Sequence, residues 1–115
     1  MRSLIAVSLF AFAFGCGNAE VPAQELAQTE ASIRAAEEVG AAGHPEAALH
    51  VKMARDQLKS AEKYIDDDET ELAKEALYRA SLDAELAVAL SRENQTRVEA
   101  LNMQQKAASL RTGAP

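Results

Sequence analysis

The sequence predicts an all-α protein: an antiparallel helical hairpin or three-helix unit with a long third helix. Three observations predict it. Ala, Glu, Leu, Lys, Arg and Gln, the strong helix formers, dominate after residue 22. Proline occurs only at positions 22, 45 and 115, so nothing interrupts long helices. Apolar residues recur at spacings of three and four, and no stretch alternates in the manner of a strand.

The first element is a targeting segment, residues 1–15. Met1-Arg2-Ser3 carries one positive charge, and Leu4 to Phe14 is apolar apart from one Ser. That run is too short for a bilayer, which takes ~20 residues. A charged start, a short apolar run and small residues at its end make a secretory signal. Its last residues, Ala13-Phe14-Gly15-Cys16, resemble the lipobox of bacterial lipoproteins, where a small residue precedes an invariant Cys. Ala13 stands where that motif usually has Leu, and Phe14 where it usually has a small residue. The resemblance implies cleavage before Cys16, acylation of that cysteine and a lipidated tether over 16–21. Gly17 occupies the position where Asp tends to hold such proteins in the inner membrane. The resemblance therefore implies the outer membrane, on its periplasmic side. The alternative is an ordinary signal cut near Ala19. Cys16 is the only cysteine, so it has no disulfide partner within the chain, which favours lipidation.

A helical domain is predicted over 22–92. Val21-Pro22 opens its first helix, because Pro suits a first turn. Leu26, Ile33, Ala36 and Val39 give that helix a weak apolar stripe. Gly40 and Gly43 end it, and His44-Pro45 begins the next. In the second helix Ala47, Val51, Ala54, Leu58, Ala61 and Ile65 share one face. Asp66-Asp67-Asp68-Glu69 breaks the pattern, and Asp68 with Glu71 reads as a capping box for the third helix. That helix carries a stripe of Ala73, Ala76, Ala80, Ala84 and Ala87, flanked by Leu72, Leu77, Val88 and Leu90. Glu75 and Arg79 are spaced for an i,i+4 pair. Val98 and Leu101 continue the stripe, but Asn94 and Gln105 fall on it too. Residues 93–115 are therefore expected to form a helical extension and a frayed tail.

Composition bounds what this domain can be. Twenty-five of the 115 residues are Ala, there is no Trp, and all three Phe lie within the first fourteen residues. A buried Ala contributes one methyl, at roughly 0.8 kcal/mol per carbon, so the core is thin. The net charge is −6, and residues 16–115 carry 11 basic against 18 acidic side chains. An acidic surface opposes nucleic-acid binding, and no basic patch argues otherwise.

The alanine stripe, with Ala84-Glu85-Leu86-Ala87 at its end, follows a helix carrying Ala54, Leu58 and Ala61 and an acidic turn. Over roughly residues 22–92 this resembles a small Ala-rich helical domain of unknown function. That domain is found in many bacterial envelope lipoproteins, sometimes ahead of an OmpA-like peptidoglycan-binding domain. The resemblance implies location and architecture but no activity. Pro45 departs from it, since the family's Pro usually falls nearer the position of Val51. There is no OmpA-like domain here, and peptidoglycan binding does not carry over.

No set of residues points to catalysis. Ser60, Ser81, Ser91 and Ser109 have no partner His with an orienting acid, and glycine-rich phosphate loops are absent. An alanine-rich hairpin offers no deep pocket in which to raise a carboxyl pKa. His44 and His50 flank Glu46, but a spacing of six does not place both on one helical face, and both are expected to be exposed. The run from Asp66 fails as a Ca²⁺ loop, because Glu71 and Leu77 stand where Gly and Glu are needed. Neither a metal nor a cofactor is expected, and the chain is not expected to be an enzyme. Leu49, Met53, Tyr64, Tyr78 and Leu82 lie off the main stripes, either against the first helix or as a partner surface. The expectation is a lipid-anchored, non-catalytic structural or interaction module. It would meet the membrane through Cys16, and itself or another envelope protein through its helices. A small-ligand or metal-binding periplasmic protein is the alternative.

Overall fold

The computed structural model describes residues 23–113, and these are almost wholly helical. Helix α1 spans Ala23–Glu38, α2 spans Pro45–Asp66 and α3 spans Thr70–Thr112, with a 3₁₀ turn at Ala41–Gly43. There is no strand among the described residues. The expected signal, Cys16 and tether lie outside them, as do the last two residues of the tail. No described helix is long and apolar enough to cross a membrane.

The chain breaks where its local chemistry demands. Gly40 follows α1 in the left-handed region at φ 82°, which favours glycine. His44 is extended, and Pro45 starts α2 at a position where the missing N–H costs nothing. Between α2 and α3, Glu69 N–H donates to Tyr64 O at 2.8 Å and Asp68 N–H to Ile65 O at 3.2 Å. This pair of bonds closes a helix C-terminus in the Schellman pattern.

Asp68 takes the left-handed conformation that this pattern requires, at φ 58°. The expected capping box therefore does not form. Asp68 is committed to ending α2, and the cap of α3 is Glu69, which makes no side-chain cap bond. Asp tolerates this backbone better than most residues but less well than Gly. Asp68→Gly should raise stability by about 0.5–1 kcal/mol, read as an upward shift of the denaturation midpoint. A downward shift would show that the carboxylate contributes more than the backbone strain costs.

The predicted α3 stripe is interior, and so is the α2 stripe apart from Leu58 and Ile65, which are half-buried. Ala47, Val51, Ala54 and Ala61 of α2 face Ala76, Leu77, Ala84 and Ala87 of α3 in three successive clusters. Ala73 and Ala80 are also fully enclosed. The buried stripe ends at Ser91, whose hydroxyl donates to Ala87 O at 2.8 Å; Val98 and Leu101, expected to continue it, are exposed because neither α1 nor α2 reaches that far along α3. Small residues on both sides let the two axes approach the lower end of the usual ~8–10 Å.

Helix α1 lies chiefly along α3 and meets α2 much less. The central helix is thus α3. Ile33 of α1 fills the space over Ala54 and Ala84, and Leu26 packs near Ala61, Ala76 and Leu77. Thr29, on the same face, is buried and satisfies its hydroxyl on Glu25 O at 2.9 Å. Gln95 of α3 donates to Val39 O at 2.9 Å and holds the end of α1.

Helix α3 runs through position 92 without interruption. From Gln95 to Gly113 every residue is exposed. At 1.5 Å per residue the whole helix is about 65 Å long, and roughly its last two-fifths leaves the bundle as a single arm.

Candidate functional site

The candidate surface follows from an inversion in the core. Ten of the thirteen buried hydrophobic side chains among the described residues are Ala; the others are Ile33, Val51 and Leu77. The larger apolar side chains lie outside, among them Leu49, Met53, Tyr78, Leu82 and Leu86. Single exposed leucines are ordinary, but a domain that hides its methyls and shows its leucines is not. The helix faces themselves are therefore the candidate sites.

The five residues singled out from sequence do not form one surface. Tyr64 is half-buried against the Ala61, Ala76 and Leu77 cluster. It lines a shallow groove between α2 and α3 with Gln57, Leu72 and Arg79. Met53 and Leu49 follow on the same side of α2, one and two helical steps before Gln57. Tyr78 instead lines a groove of about 340 Å³ between α1 and α3, with Glu25, Ser32, Lys74 and Glu85. Leu82 lies midway between Ala80 and Ala84, so it points away from α2. Contact with α1 thus accounts in part for Tyr78 and for none of the other four.

The side of the hairpin away from α1 holds a polar cluster. Asp83 of α3 accepts from His50 Nδ1 at 2.8 Å through one oxygen and from Gln57 Nε2 at 2.7 Å through the other. His50 and Gln57 are two turns apart on α2, so one carboxylate clips two turns of the facing helix. The side chains of His50 and Asp83 are only 20% and 15% exposed. The expectation that both histidines are exposed is corrected here. His50 is half-buried and paired, and His44 is half-buried at the head of α2, its Nδ1 buried without a partner. Sequence reading missed Asp83. Its one signal was position: an acid flanked by Leu82 and Ala84, on the edge of the alanine stripe.

Asp83→Asn keeps the shape and removes the charge that strengthens both bonds. It should cost about 1–2 kcal/mol in denaturant unfolding, because two half-buried donors lose a charged acceptor. No loss would mean that water replaces the carboxylate freely.

Ion pairs elsewhere lie on exposed surface. Arg79 pairs with Glu75 as the spacing predicted, and Arg55 of α2 pairs with Glu37 of α1. Each contributes at most about 1 kcal/mol. Among the described residues no three His, Cys, Asp or Glu side chains come together as a metal site.

Helix α3 and the α2–α3 hairpin therefore present two apolar faces, one on either side of the central helix, with shallow grooves between the helices. No curated protein and no solved structure matches the chain. A family model described as a domain of unknown function (DUF4398) matches residues 24–103, from the start of α1 into the arm of α3. That span is well over half of the sequence, and the chain belongs to this family.

Proposed function

We propose that this protein is a bacterial envelope lipoprotein acting as a non-catalytic structural or protein-interaction module. The observation that carries this reading is the inverted distribution of apolar size: alanine inside, leucine, methionine and tyrosine outside. Such a surface gains more from association than from a small ligand, because its grooves are open and shallow. Exposed apolar area in contiguous rows is the ordinary mark of a protein–protein contact.

The anchoring half of the proposal comes from sequence. Cys16 closes a lipobox-like end to a secretory signal, which supports attachment to the periplasmic side of the outer membrane. Six residues separate Cys16 from Ala23, seven Cα steps with a reach of at most ~24 Å when extended. Leu26 packs near Ala61, Ala76 and Leu77, next to the acidic turn. The anchor would therefore enter at the turn end of the bundle, and the arm would leave from the other end.

Mass spectrometry of the mature N-terminus in a bacterial host should find a diacylglyceryl-modified Cys16, and Cys16→Ser should release the protein into the periplasm. An unmodified thiol, or a mature N-terminus beyond Cys16, would remove the anchor. Association is tested separately with Leu49→Asp/Met53→Asp, which should abolish capture of envelope partners without loss of helical circular dichroism. Unchanged capture would exclude the face of the hairpin away from α1.

A further inference from the structure

We propose that a second copy of this chain covers the outward face of α3, in an antiparallel dimer that pairs the arm of each copy with the body of the other. This rests on the association reading above and names its partner. Along α3, positions 75, 82, 86, 93, 100, 107 and 111 recur at steps of seven and four, so they share one face. At Leu82 and Leu86 that face points away from both α1 and α2; Glu75 borders the groove between α2 and α3 and pairs with Arg79 of its own helix, which Arg111 of a second copy would join. On the body it carries Glu75, Leu82 and Leu86, with Tyr78 at its edge; Leu82 and Leu86 are 46% and 43% exposed. On the arm it carries Ala100, Gln104, Ala107 and Arg111, with Met103 at its edge.

The row is complementary to its own reverse. When two copies run antiparallel with Glu93 at the two-fold axis, Glu75 of one copy meets Arg111 of the other. Leu86 then meets Ala100, and Leu82 meets the aliphatic part of Gln104 with Met103 beside it. A two-fold axis makes each of these contacts twice. Charge segregation favours the same arrangement. Residues 23–91 hold 15 acidic and 7 basic side chains, whereas residues 92–113 hold 2 acidic and 4 basic. No acid follows Glu99 on the arm, so a basic arm meets an acidic body. A lone helix of some twenty residues with no tertiary contact is marginal in water, and this pairing would supply the missing contact.

Size sets the expected strength. Residues 75 to 111 span about 54 Å of helix, and one face ~10 Å wide buries on the order of 1,000 Å² over both copies. That is the low end for a specific interface, so a reversible dimer is expected, not an obligate one.

The experiment is sedimentation equilibrium of the full chain carrying Cys16→Ser, with circular dichroism confirming that each variant keeps its helix. A dimer in the micromolar range is expected. Arg111→Glu should weaken it roughly tenfold, and adding Glu75→Arg should restore it. The axis provides a sharper signature: Glu93 faces its own copy, so Glu93→Gln should tighten the dimer. Leu82→Asp should abolish it. A chain that stays monomeric at roughly 100 µM overturns the proposal. So does a dimer indifferent to Arg111→Glu, Glu93→Gln and Leu82→Asp. If the monomeric chain still captures another envelope protein through Leu49 and Met53, the association reading stands and only the second copy is excluded.

Discussion

An Ala84→Leu chain is expected to lose about 2–3 kcal/mol of stability, although Leu is nearly as good a helix former as Ala and would bury more apolar area. Ala84 is fully enclosed. It meets Ile33 of α1 and Ala54 of α2, with Leu58 alongside. Three added carbons have no space there unless α2 moves outward, and moving it opens the seam along its length. The penalty is thus shared with Ala47, Ala61, Ala76 and Ala87, which rely on the same approach of the two axes. Urea unfolding followed by circular dichroism measures it, with Ala27→Leu on the exposed side of α1 as the control. The control should shift stability by less than about 0.5 kcal/mol. A stable Ala84→Leu protein would mean that the α2–α3 seam is loose, and the close-approach account would be wrong.

The second large effect is expected at Ile33→Ala, about 2–4 kcal/mol. Ile33 is the largest buried side chain of α1 and packs over the seam between α2 and α3. Its companions are Thr29, Ala36 and the half-buried Leu26. The hairpin keeps its own seam, its Schellman turn and the Asp83 clip. The loss should therefore fall unevenly. Hydrogen exchange should show amides 23–38 losing protection first, with the α2 and α3 segments of the seam retaining most of theirs. Equal loss across all three helices would show that the bundle unfolds as one unit and that α1 is not separable. The two substitutions probe opposite failures of one core: one has no room for more atoms, the other no atoms to spare.

Much of this arrangement was legible beforehand. Local chemistry wrote the helices and their breaks: Gly40 for a left-handed turn, Pro45 for a first turn, and an acidic run with no apolar period. Periodicity wrote the seam, since Ala47, Val51, Ala54 and Ala61 on one helix and Ala73 to Ala87 on the other can share a face in only one way. The capping box at Asp68 and Glu71 was misread because a pattern of side chains does not reveal which helix a turn residue serves. Asp68 was already required to end α2.

Three features depended on the packing of helices far apart in sequence. Which helix is central follows from where α1 docks, and its weak stripe fits either neighbour; Ile33 sits over the seam between Ala54 of α2 and Ala84 of α3, while the rest of α1 lies along α3. The pairing of Asp83 with His50 and Gln57 spans 33 and 26 residues and depends on the register of two antiparallel helices, which no local spacing encodes. Tyr78 and Leu82 fell on different sides of α3 from Leu49 and Met53 for the same reason. Propensity and periodicity act within a few turns, so composition and spacing are enough to say which residues are helical and which are small enough to be buried. Tertiary structure alone decided which large residues remained outside, because burial depends on where the other helices are.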